Sequence, residues 1–467
     1  MQRDRRTLAR VAVALLVVAL LLPAGVSALT YSPTDFEPGT IDEPADNPTV
    51  VGIQGFHFQG RSAAKKPARL ASIDGDGSFG WQFAGDRVNG VWFYDVDPLP
   101  NGNLLAVSTT PGGTVVFELD PETREPVWTE RLDMEDTHDV DLLPNGDLLV
   151  ANMRERDGDE PPDDRVVVYN RSTDAITWEW TFRNHYPEST DGGYNDDWTH
   201  VNDADATGDG RILVSPRNFD QVILINRSTK AIEMQLGDDE DYDVLNEQHN
   251  PDWLVSEAGR PTILVADSEN NRVIEYERRC TGDPMTTAPP GCSWNATWTV
   301  GVEGNLNWPR DADRLPNGNT LITDSLNHRV IEVTPQGEIV WEYYATWGPY
   351  DAERLGAANR SAPGTGGSAA GPTMADADAT GEYALSGSAN DPPVPSEASG
   401  PAVLLADAGL DELARTWSHV VPWVKPVWAS GWEFVAAVTG LLVGLGWAGA
   451  EVAQNRDRLA ARLGADR

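Results

Sequence analysis

The chain has 467 residues, which is enough for one large domain with appended segments. It carries 73 Asp and Glu against 35 Lys and Arg, a formal net charge of −38, and so acidic a surface repels nucleic acid, which argues against DNA or RNA binding. Because the acidic residues are spread along the chain, we interpret them as an adaptation to a very salty medium, with an acidic ligand-binding face as the alternative.

The N-terminal segment combines a basic start, MQRDRRTLAR, with the apolar run VAVALLVVALLLPAGVSAL. This order predicts a secretory signal peptide or an N-terminal membrane anchor over residues 1–29, with VSA at 26–28 as the candidate cleavage site. Either interpretation places the residues that follow outside the cell.

One sequence unit recurs between residues 45 and 350. Each copy has an apolar strand, a turn marked by Asn-Gly, Asp-Gly or Gly, and a second strand. The copies are YDVDPLPNGNLLAVS (94–108), HDVDLLPNGDLLVAN (138–152), NDADATGDGRILVS (202–215), HNPDWLVSEAGRPTILVADS (249–268) and RDADRLPNGNTLITDS (310–325). Two further strands follow each copy, as in RVVVYNRSTDAITWEWTF (165–182).

Four strands per unit, at intervals of 44 to 64 residues, predict an all-β fold, a six-bladed β-propeller over residues 45–350. Five units are complete, and ASIDGDGSFGWQFAG (71–85) supplies the closing half of a sixth. A single-sheet solenoid is the alternative, but the alternating strands and hairpin turns argue against it.

The cysteines, Cys280 and Cys292, lie twelve residues apart around the Pro- and Gly-rich stretch TGDPMTTAPPG. A disulfide closing that loop is allowed outside the cell, whereas a metal site would need further ligands nearby, so we expect the disulfide. Glycosylation is predicted at the sequons of Asn170, Asn226, Asn295 and Asn359.

Beyond the repeats the composition changes. Residues 355–400 are rich in Gly, Ser, Ala, Pro and Asp, which predicts a disordered, flexible stalk. An amphipathic juxtamembrane segment over 402–430 precedes a predicted transmembrane helix over 432–450, for which a buried helix is the alternative. Tryptophans at 417, 423, 428 and 432 fit either a membrane interface or packing between short helices.

Charged residues at the two ends predict the topology. Arginines at 456, 458, 462 and 467 lie in the short tail 451–467, and arginines at 3, 5, 6 and 10 precede or begin the first apolar run. By the positive-inside rule both ends are cytoplasmic. The predicted location is therefore the cell membrane, with the propeller on its extracellular face.

Polar side chains recur at one position of the repeat. The copies align on Asp97, Asp141, Asp205, Asp252 and Asp313, and three residues earlier stand Tyr94, His138, Asn202, His249 and Arg310. Equivalent positions of successive blades surround one axis, so we expect these side chains to meet near the central channel. His200 in WTHVN and Arg217 in SPRN are expected to join them.

Two interpretations of this set are open. Propeller channels are commonly polar and water-filled, so the side chains could simply satisfy one another. Three histidines and two arginines, in a chain with only seven histidines, instead favour a positive pocket for an oxyanion such as sulfate, phosphate or carboxylate. Histidine also offers a nucleophile and a proton carrier near neutral pH.

The motifs HD–LPNG (His138), WTHVN (His200), SPRN (Arg217) and EQHNPDW (His249), followed by DSENNRVIEY and LPNGNTLITDSLNHRVIEV, resemble those of the ASST-type arylsulfotransferases. The similarity covers roughly residues 50–345. It implies a six-bladed propeller whose central funnel transfers a sulfuryl group from a phenolic sulfate ester, not a nucleotide sulfate, to a phenol. The implied route is ping-pong through a sulfated histidine, and needs neither a cofactor nor a metal.

Residue by residue, the resemblance makes His249 the nucleophile and His138, His200 and Arg217 its catalytic partners. One of the two other histidines would protonate the departing phenolate and deprotonate the incoming phenol. Arg217 would hold the sulfuryl oxygens. Tyr94, Asn202 and Arg310 are the predicted substrate-binding residues.

Other functions remain open at this stage. A non-catalytic surface propeller that binds an anionic glycan or a protein is the main alternative to the sulfotransferase. A redox propeller with a quinone cofactor ranks last, because the 17 tryptophans do not recur at fixed blade positions. The loops 154–164 and 183–198 are expected to select the substrates.

Overall fold

The computed structural model describes residues 2–32, 36–55, 68–154, 161–286, 291–301, 305–356, 371–388 and 396–464. The chain divides into two compact units. One is Thr34–Ser396, and the other combines Met1–Pro33 with Glu397–Arg467.

The larger unit is built from short antiparallel strands. In chain order they are β1 (Phe36–Ile41), β2 (Thr49–Ile53), β3 (Arg69–Ile73), β4 (Phe79–Ala84), β5 (Trp92–Pro98), β6 (Leu104–Thr110), β7 (Gly113–Asp120), β8 (Glu125–Leu132), β9 (Val140–Leu142), β10 (Leu148–Asn152), β11 (Arg165–Asn170), β12 (Ala175–Thr181), β13 (Val201–Ala206), β14 (Arg211–Pro216), β15 (Gln221–Asn226), β16 (Ile232–Gly237), β17 (His249–Val255), β18 (Pro261–Asp267), β19 (Arg272–Cys280), β20 (Cys292–Val300), β21 (Pro309–Arg314), β22 (Thr320–Asp324), β23 (Arg329–Val333), β24 (Ile339–Ala345), β25 (Pro349–Arg354) and β26 (Gly381–Tyr383).

These strands form six four-stranded blades, so the predicted six-bladed propeller is confirmed. Blades two to six follow the chain as β5–β8, β9–β12, β13–β16, β17–β20 and β21–β24. The first blade is composite, because β25 pairs with β2 and lies inside β3 and β4. The last propeller strand thus closes the ring onto the first blade by backbone hydrogen bonds.

The Asn-Gly turns make the hairpins that the repeats predict. Gly102, Gly146 and Gly318 have φ values of +90°, +85° and +88°, which favour glycine because it has no Cβ. At the first turn the Leu99 amide donates to the Asn103 carbonyl at 2.8 Å. This reversal lets one face of each strand pack against the next blade.

Apolar side chains fill the space between neighbouring blades. The cluster between the third and fourth blades holds Trp180, Trp198 and Phe219, all at most 1% exposed. Equivalent clusters lie between the other pairs of blades. Burial of this surface at about 25 cal/mol per Å² is what holds the blades in a ring.

Acidic residues link the innermost strands around the axis. The Asp351 carboxylate accepts the Val96 amide at 2.8 Å, Asp139 accepts Ala204 at 2.7 Å, and Asp311 accepts Ala352 at 3.1 Å. In each case the acceptor lies one blade before the donor. Ten described carboxyl groups line a central cavity of about 40 Å³.

The fifth blade breaks this pattern. By the same register, Asp203 faces residue 251, which is a proline and has no N–H to donate. Asp203 is 6% exposed, and no described group donates a hydrogen bond to its Oδ1. Asp203 therefore lacks the backbone hydrogen bond to the next blade that Asp351, Asp139 and Asp311 accept.

Two segments outside the repeats add to the propeller. Strand β1 pairs with β24 at the edge of the sixth blade, and β26 pairs in parallel with β20. Met374 and Ala379 are buried in the adjoining apolar cluster. Residues 371–388, which fall within the predicted stalk, therefore pack against the propeller instead of forming a flexible tether, while 357–370 and 389–395 lie outside the described residues.

The predicted disulfide between Cys280 and Cys292 is confirmed. It joins the outer ends of β19 and β20, where the two cysteines are directly paired across the strands. Of the sequons, Asn295 is exposed, whereas the Asn170 and Asn226 side chains donate to Asp147 and Glu233. Asn359 lies outside the described residues.

The smaller unit is helical, with α1 (Gln2–Thr30), α2 (Pro401–Asp407), α3 (Asp411–Val424) and α4 (Gly431–Gly464). Arg6–Thr30 and Gly431–Gln454 are long and apolar enough to cross a membrane, and the first lies where a signal sequence would also lie. These two helices, α1 and α4, pack antiparallel. Arg10 pairs with Glu451 at 2.6 Å, and the Leu20 side chain lies against Gly440.

Candidate active site

The seven predicted site residues lie at the inner ends of the blades. Tyr94, Asn202 and Arg310 are on the innermost strands β5, β13 and β21, and His249 begins β17. His138 lies two residues before β9, His200 immediately precedes β13, and Arg217 opens a short 3-10 helix after β14.

The aromatic and imidazole rings are in contact. The Tyr94 and His138 ring centroids are 3.8 Å apart, and those of His138 and His200 are 5.0 Å apart. The exposed fractions of His138, His200 and His249 are 4%, 8% and 1%. Residues from distant parts of the chain thus share one buried centre.

Tyr350 completes this centre and was not predicted. Its hydroxyl is 3.1 Å from Nδ1 of His138, its ring centroid is 5.7 Å from that of His249, and the Arg310 guanidinium lies over it at 4.7 Å. It occupies in PYDAERL the place of Tyr94 in FYDVDPL. This sequence parallel could have identified Tyr350 as a site residue. Tyr350, however, lies in the last propeller strand, β25, which belongs to the first blade.

The hydrogen bonds of His249 fix its tautomer. Nδ1 lies 3.1 Å from the Glu247 carbonyl and 2.8 Å from Oγ of Ser268. A carbonyl only accepts, and Ser268 itself donates to the Pro309 carbonyl, so Nδ1 carries the proton. The lone pair of His249 is therefore on Nε2.

His200 has the same tautomer for a different reason. Its Nδ1 lies 2.8 Å from Asp197 Oδ1, and its Nε2 lies 3.2 Å from NH1 of Arg217. Arginine only donates, so Nε2 accepts and Nδ1 donates to the carboxylate. His200 also has a φ of +42°, a backbone conformation that non-glycine residues rarely adopt and that is found at functional sites.

The two site arginines have different partners. Arg217 donates to the Asn218 side chain at 2.9 Å and lies 3.4 Å from the Glu247 carboxylate. Arg310, 7% exposed, donates to the amide oxygen of Gln54 at 2.6 Å. Both guanidiniums interact electrostatically with His249.

Asn202 supports the backbone beside His249. Its amide nitrogen donates to the Gln248 carbonyl at 2.9 Å, and its side chain is fully buried. Gln248 is anchored in turn by Oγ of Ser215 at 3.0 Å. The arrangement holds the residue that precedes His249 on both sides.

Burial keeps the three histidines neutral. It lowers the pKa of His200 to about 4, with Arg217 lowering it further and Asp197 opposing. Burial lowers the pKa of His138 and of His249 well below the usual range, and nearby arginines add to the effect. At neutral pH each ring therefore has one nitrogen that can accept a proton or attack an electrophile.

Two carboxylates reach the histidines without having been predicted. Asp197 contacts His200, and Asp136 lies 3.8 Å from Nε2 of His138. Each precedes its histidine by two or three residues, in EDTHD and DDWTH. Within the described part of the chain, no three His, Cys, Asp or Glu side chains are arranged to hold a metal ion.

Comparisons with known proteins point to one family. Models of the arylsulfotransferase (ASST) family match residues 48–249 and 161–346. No curated protein matches the chain. Similar solved structures include a protein of unknown function from Bacteroides caccae (13% identity, 66% of this chain and 98% of that one, TM-score 0.43) and an inactive virginiamycin B lyase from Staphylococcus aureus (10%, 68% and 89%, 0.38).

Proposed function

The chain belongs to the arylsulfotransferase (ASST) family, and from that premise we propose that it moves a sulfuryl group from a phenolic sulfate ester to a phenolic acceptor through a sulfated His249. The observation that carries the proposal is the Nδ1–H tautomer of His249, held by Glu247 and Ser268. A neutral imidazole with a fixed Nε2 lone pair, in electrostatic interaction with two arginines, is suited to attack sulfur.

In the first half-reaction, Nε2 of His249 forms a bond to sulfur. The bond from sulfur to the aryl oxygen breaks, and the phenolate leaves with the electron pair. Arg217 and Arg310 stabilise the sulfuryl oxygens, whose charge redistributes in the transition state. Because His249 is buried, these charge interactions are stronger than they would be in water.

In the second half-reaction, the acceptor phenol takes the place of the first product. Its oxygen bonds to sulfur as its proton passes to a histidine, and the electron pair of the N–S bond returns to Nε2 of His249. The free enzyme is regenerated when that proton is released. The proposed donor is an aryl sulfate and not a nucleotide sulfate.

We also propose that the two apolar helices anchor the protein in the cell membrane, with the propeller on the extracellular face. The Cys280–Cys292 disulfide supports this location, because disulfides persist in oxidising surroundings. The pairing of Arg10 with Glu451 supports a shared membrane side for the two helix ends.

The test uses the full-length protein in detergent with p-nitrophenyl sulfate. We expect a burst of one nitrophenol per protein without acceptor, and an 80-dalton SO3 adduct on His249 by mass spectrometry, a mass set by the chemistry of the proposed intermediate. His249→Ala should abolish both. His419→Ala is the matched control, because His419 lies in helix α3 of the smaller unit and not in the propeller.

Two results would reject this function. Full transfer by His249→Ala would exclude the sulfohistidine. Saturable aryl sulfate binding without any burst or turnover in the native protein would indicate the non-catalytic binding propeller instead.

A further inference from the structure

An arginine and two carboxylates connect the histidines of the centre from one side. Arg154 donates through Nε and NH2 to Oδ1 of Asp197, at 3.0 and 2.6 Å, and through NH1 to Oδ2 of Asp136. We call Asp136, Arg154 and Asp197 the carboxylate bridge. Its two acids meet His138 and His200 respectively.

The two acids of the carboxylate bridge make different contacts with their histidines. Asp197 accepts the Nδ1 proton of His200 at 2.8 Å, so it both orients the ring and stabilises positive charge on it. Asp136 instead accepts the Tyr94 hydroxyl at 3.1 Å and lies 3.8 Å from Nε2 of His138, beyond a normal hydrogen bond. Of the three histidines, His200 alone therefore has the carboxylate of a described residue hydrogen-bonded to it.

The acceptor atom of the same ring, Nε2, contacts a site arginine. Nε2 of His200 accepts from Arg217 at 3.2 Å, and its ring lies 5.0 Å from that of His138. If Nε2 of His200 took up a proton, the Nδ1 proton of the same ring would already be hydrogen-bonded to Asp197. His138 has its Nδ1 within 3.1 Å of the Tyr350 hydroxyl instead.

Stability alone does not account for the bridge. The Arg154 and Asp197 side chains are 32% and 37% exposed, and ion pairs that exposed contribute little to stability. Asp136 is 2% exposed and does need a counter-charge, which Arg154 supplies. The ion pair of Arg154 with the half-exposed Asp197 is not needed to neutralise a buried charge.

Resting on the proposed function, we propose that the carboxylate bridge selects His200 as the general base of the second half-reaction, and that Arg154 and Asp197 are positioning residues for it. As the acceptor phenol binds, Arg217 NH1 leaves Nε2 of His200 and donates to a sulfuryl oxygen. The phenol then gives its proton to Nε2 of His200 as its oxygen bonds to sulfur and the N–S bond to His249 breaks, with the electron pair returning to His249. The resulting imidazolium keeps its Nδ1 proton on Asp197. His138 stays neutral and holds the substrate.

The experiment separates the two half-reactions. The full-length protein is treated with p-nitrophenyl sulfate, freed of donor, and mixed with phenol in single turnover. Asp197→Asn should retain the nitrophenol burst and the adduct on His249, but transfer to phenol should slow at least about 100-fold, the usual size of a general-base contribution. Arg154→Gln should slow the same step by about 10-fold and Asp197→Glu should restore part of it.

The pH profile is a readout that a purely structural role would not change. Asp197 opposes the depression of the pKa of His200, so its loss should move the acidic limb of the phenol-transfer rate to lower pH. Arg211→Gln is the matched control, because Arg211 also links two carboxylates, Asp209 and, at 2.6 Å, Glu233, and lies outside the centre. It should leave the rate and the profile unchanged.

The outcomes are distinguishable. No burst in the native protein rejects the proposed function itself. A normal burst with unchanged phenol transfer and pH profile in Asp197→Asn, or a slow step that appears only in His138→Ala, overturns the assignment of the base. Should Asp197→Asn fail to fold, as judged by near-ultraviolet circular dichroism, the same comparison is made with Arg154→Gln.

Discussion

Arginine at position 217 is required for its shape as well as its charge. One NH1 donates to Nε2 of His200 and the neighbouring NH2 lies 3.4 Å from the Glu247 carboxylate. A lysine ammonium is a point charge and cannot keep both contacts. We therefore expect Arg217→Lys to lower kcat/KM for p-nitrophenyl sulfate by about 100-fold, the usual effect of losing one oriented donor.

The matched control is Arg211→Lys in the same blade, which pairs with Glu233 away from the centre. It should keep native kcat/KM. If Arg217→Lys had native activity as well, positive charge alone would be sufficient at this position, and the oriented contacts would be unnecessary.

Tyr350 should act through both its hydroxyl and its ring. Tyr350→Phe removes the contact to Nδ1 of His138 at 3.1 Å but keeps the ring beneath Arg310. We expect about a 10-fold loss of kcat/KM with native thermal stability, in line with one lost hydrogen bond. Tyr350→Ala should also unfold at lower temperature, because the side chain is 1% exposed; equal melting of the two variants would contradict this view of the ring.

Some residues of the site could be predicted from the sequence, and others could not. The histidines at 138 and 249 stand out because they recur in register with an apolar pattern of known period, and His200 lies two residues before that position in its own repeat. Tyr350 does not, because its strand completes a blade that begins 300 residues earlier, and register across that gap is set by ring closure. Asp136 and Asp197 were missed because side-chain direction in irregular segments before a strand does not follow from spacing.

At the scale of elements, the closing strand decides whether the ring forms. Strand β25 pairs with β2 over five residue pairs and also packs near β5. A chain that ends at Gly348 would leave β2 as a buried open edge with unpaired backbone groups, each costing about 1–3 kcal/mol. We expect this truncated chain to be insoluble or molten.

A chain that ends at Ser396 is the control, because the propeller unit Thr34–Ser396 is then complete. It should show a cooperative melt by circular dichroism. Cooperative, native-like melting of the shorter chain would mean that the hydrogen bonds of β25 are dispensable. The element-level prediction from sequence was sound for the repeats, whose turns are local, and failed for residues 371–388, whose Gly- and Ser-rich composition hides two buried apolar contacts.

At the scale of the whole molecule, the channel carboxylates and the buried histidines have opposite effects on how the free energy of unfolding changes with pH. Burial raises the pKa of Asp139 and of Asp311 to about 7, so the folded state binds protons that the unfolded state has lost above about pH 4. Their contribution to stability is present at low pH and falls as the pH rises through 7. Lowered histidine pKa values act oppositely, but only below pH 6.5, the ordinary value of an unfolded histidine.

Between pH 6.5 and 8 the carboxylates therefore dominate, and we expect the melting temperature of the full-length protein to fall by several degrees across that interval. Added salt should recover part of the loss at pH 8, because cations screen the channel and the surface charge of −38.

Asp203→Asn should melt higher than the native protein at pH 8 and lose part of the pH dependence, since it removes a buried ionisable group that accepts no hydrogen bond at Oδ1 from any described residue. The control is Asp351→Asn, which weakens the hydrogen bond from the Val96 amide and should melt lower. A melting temperature that rises from pH 6.5 to 8 would contradict the view that protonated channel carboxylates help to hold the ring together.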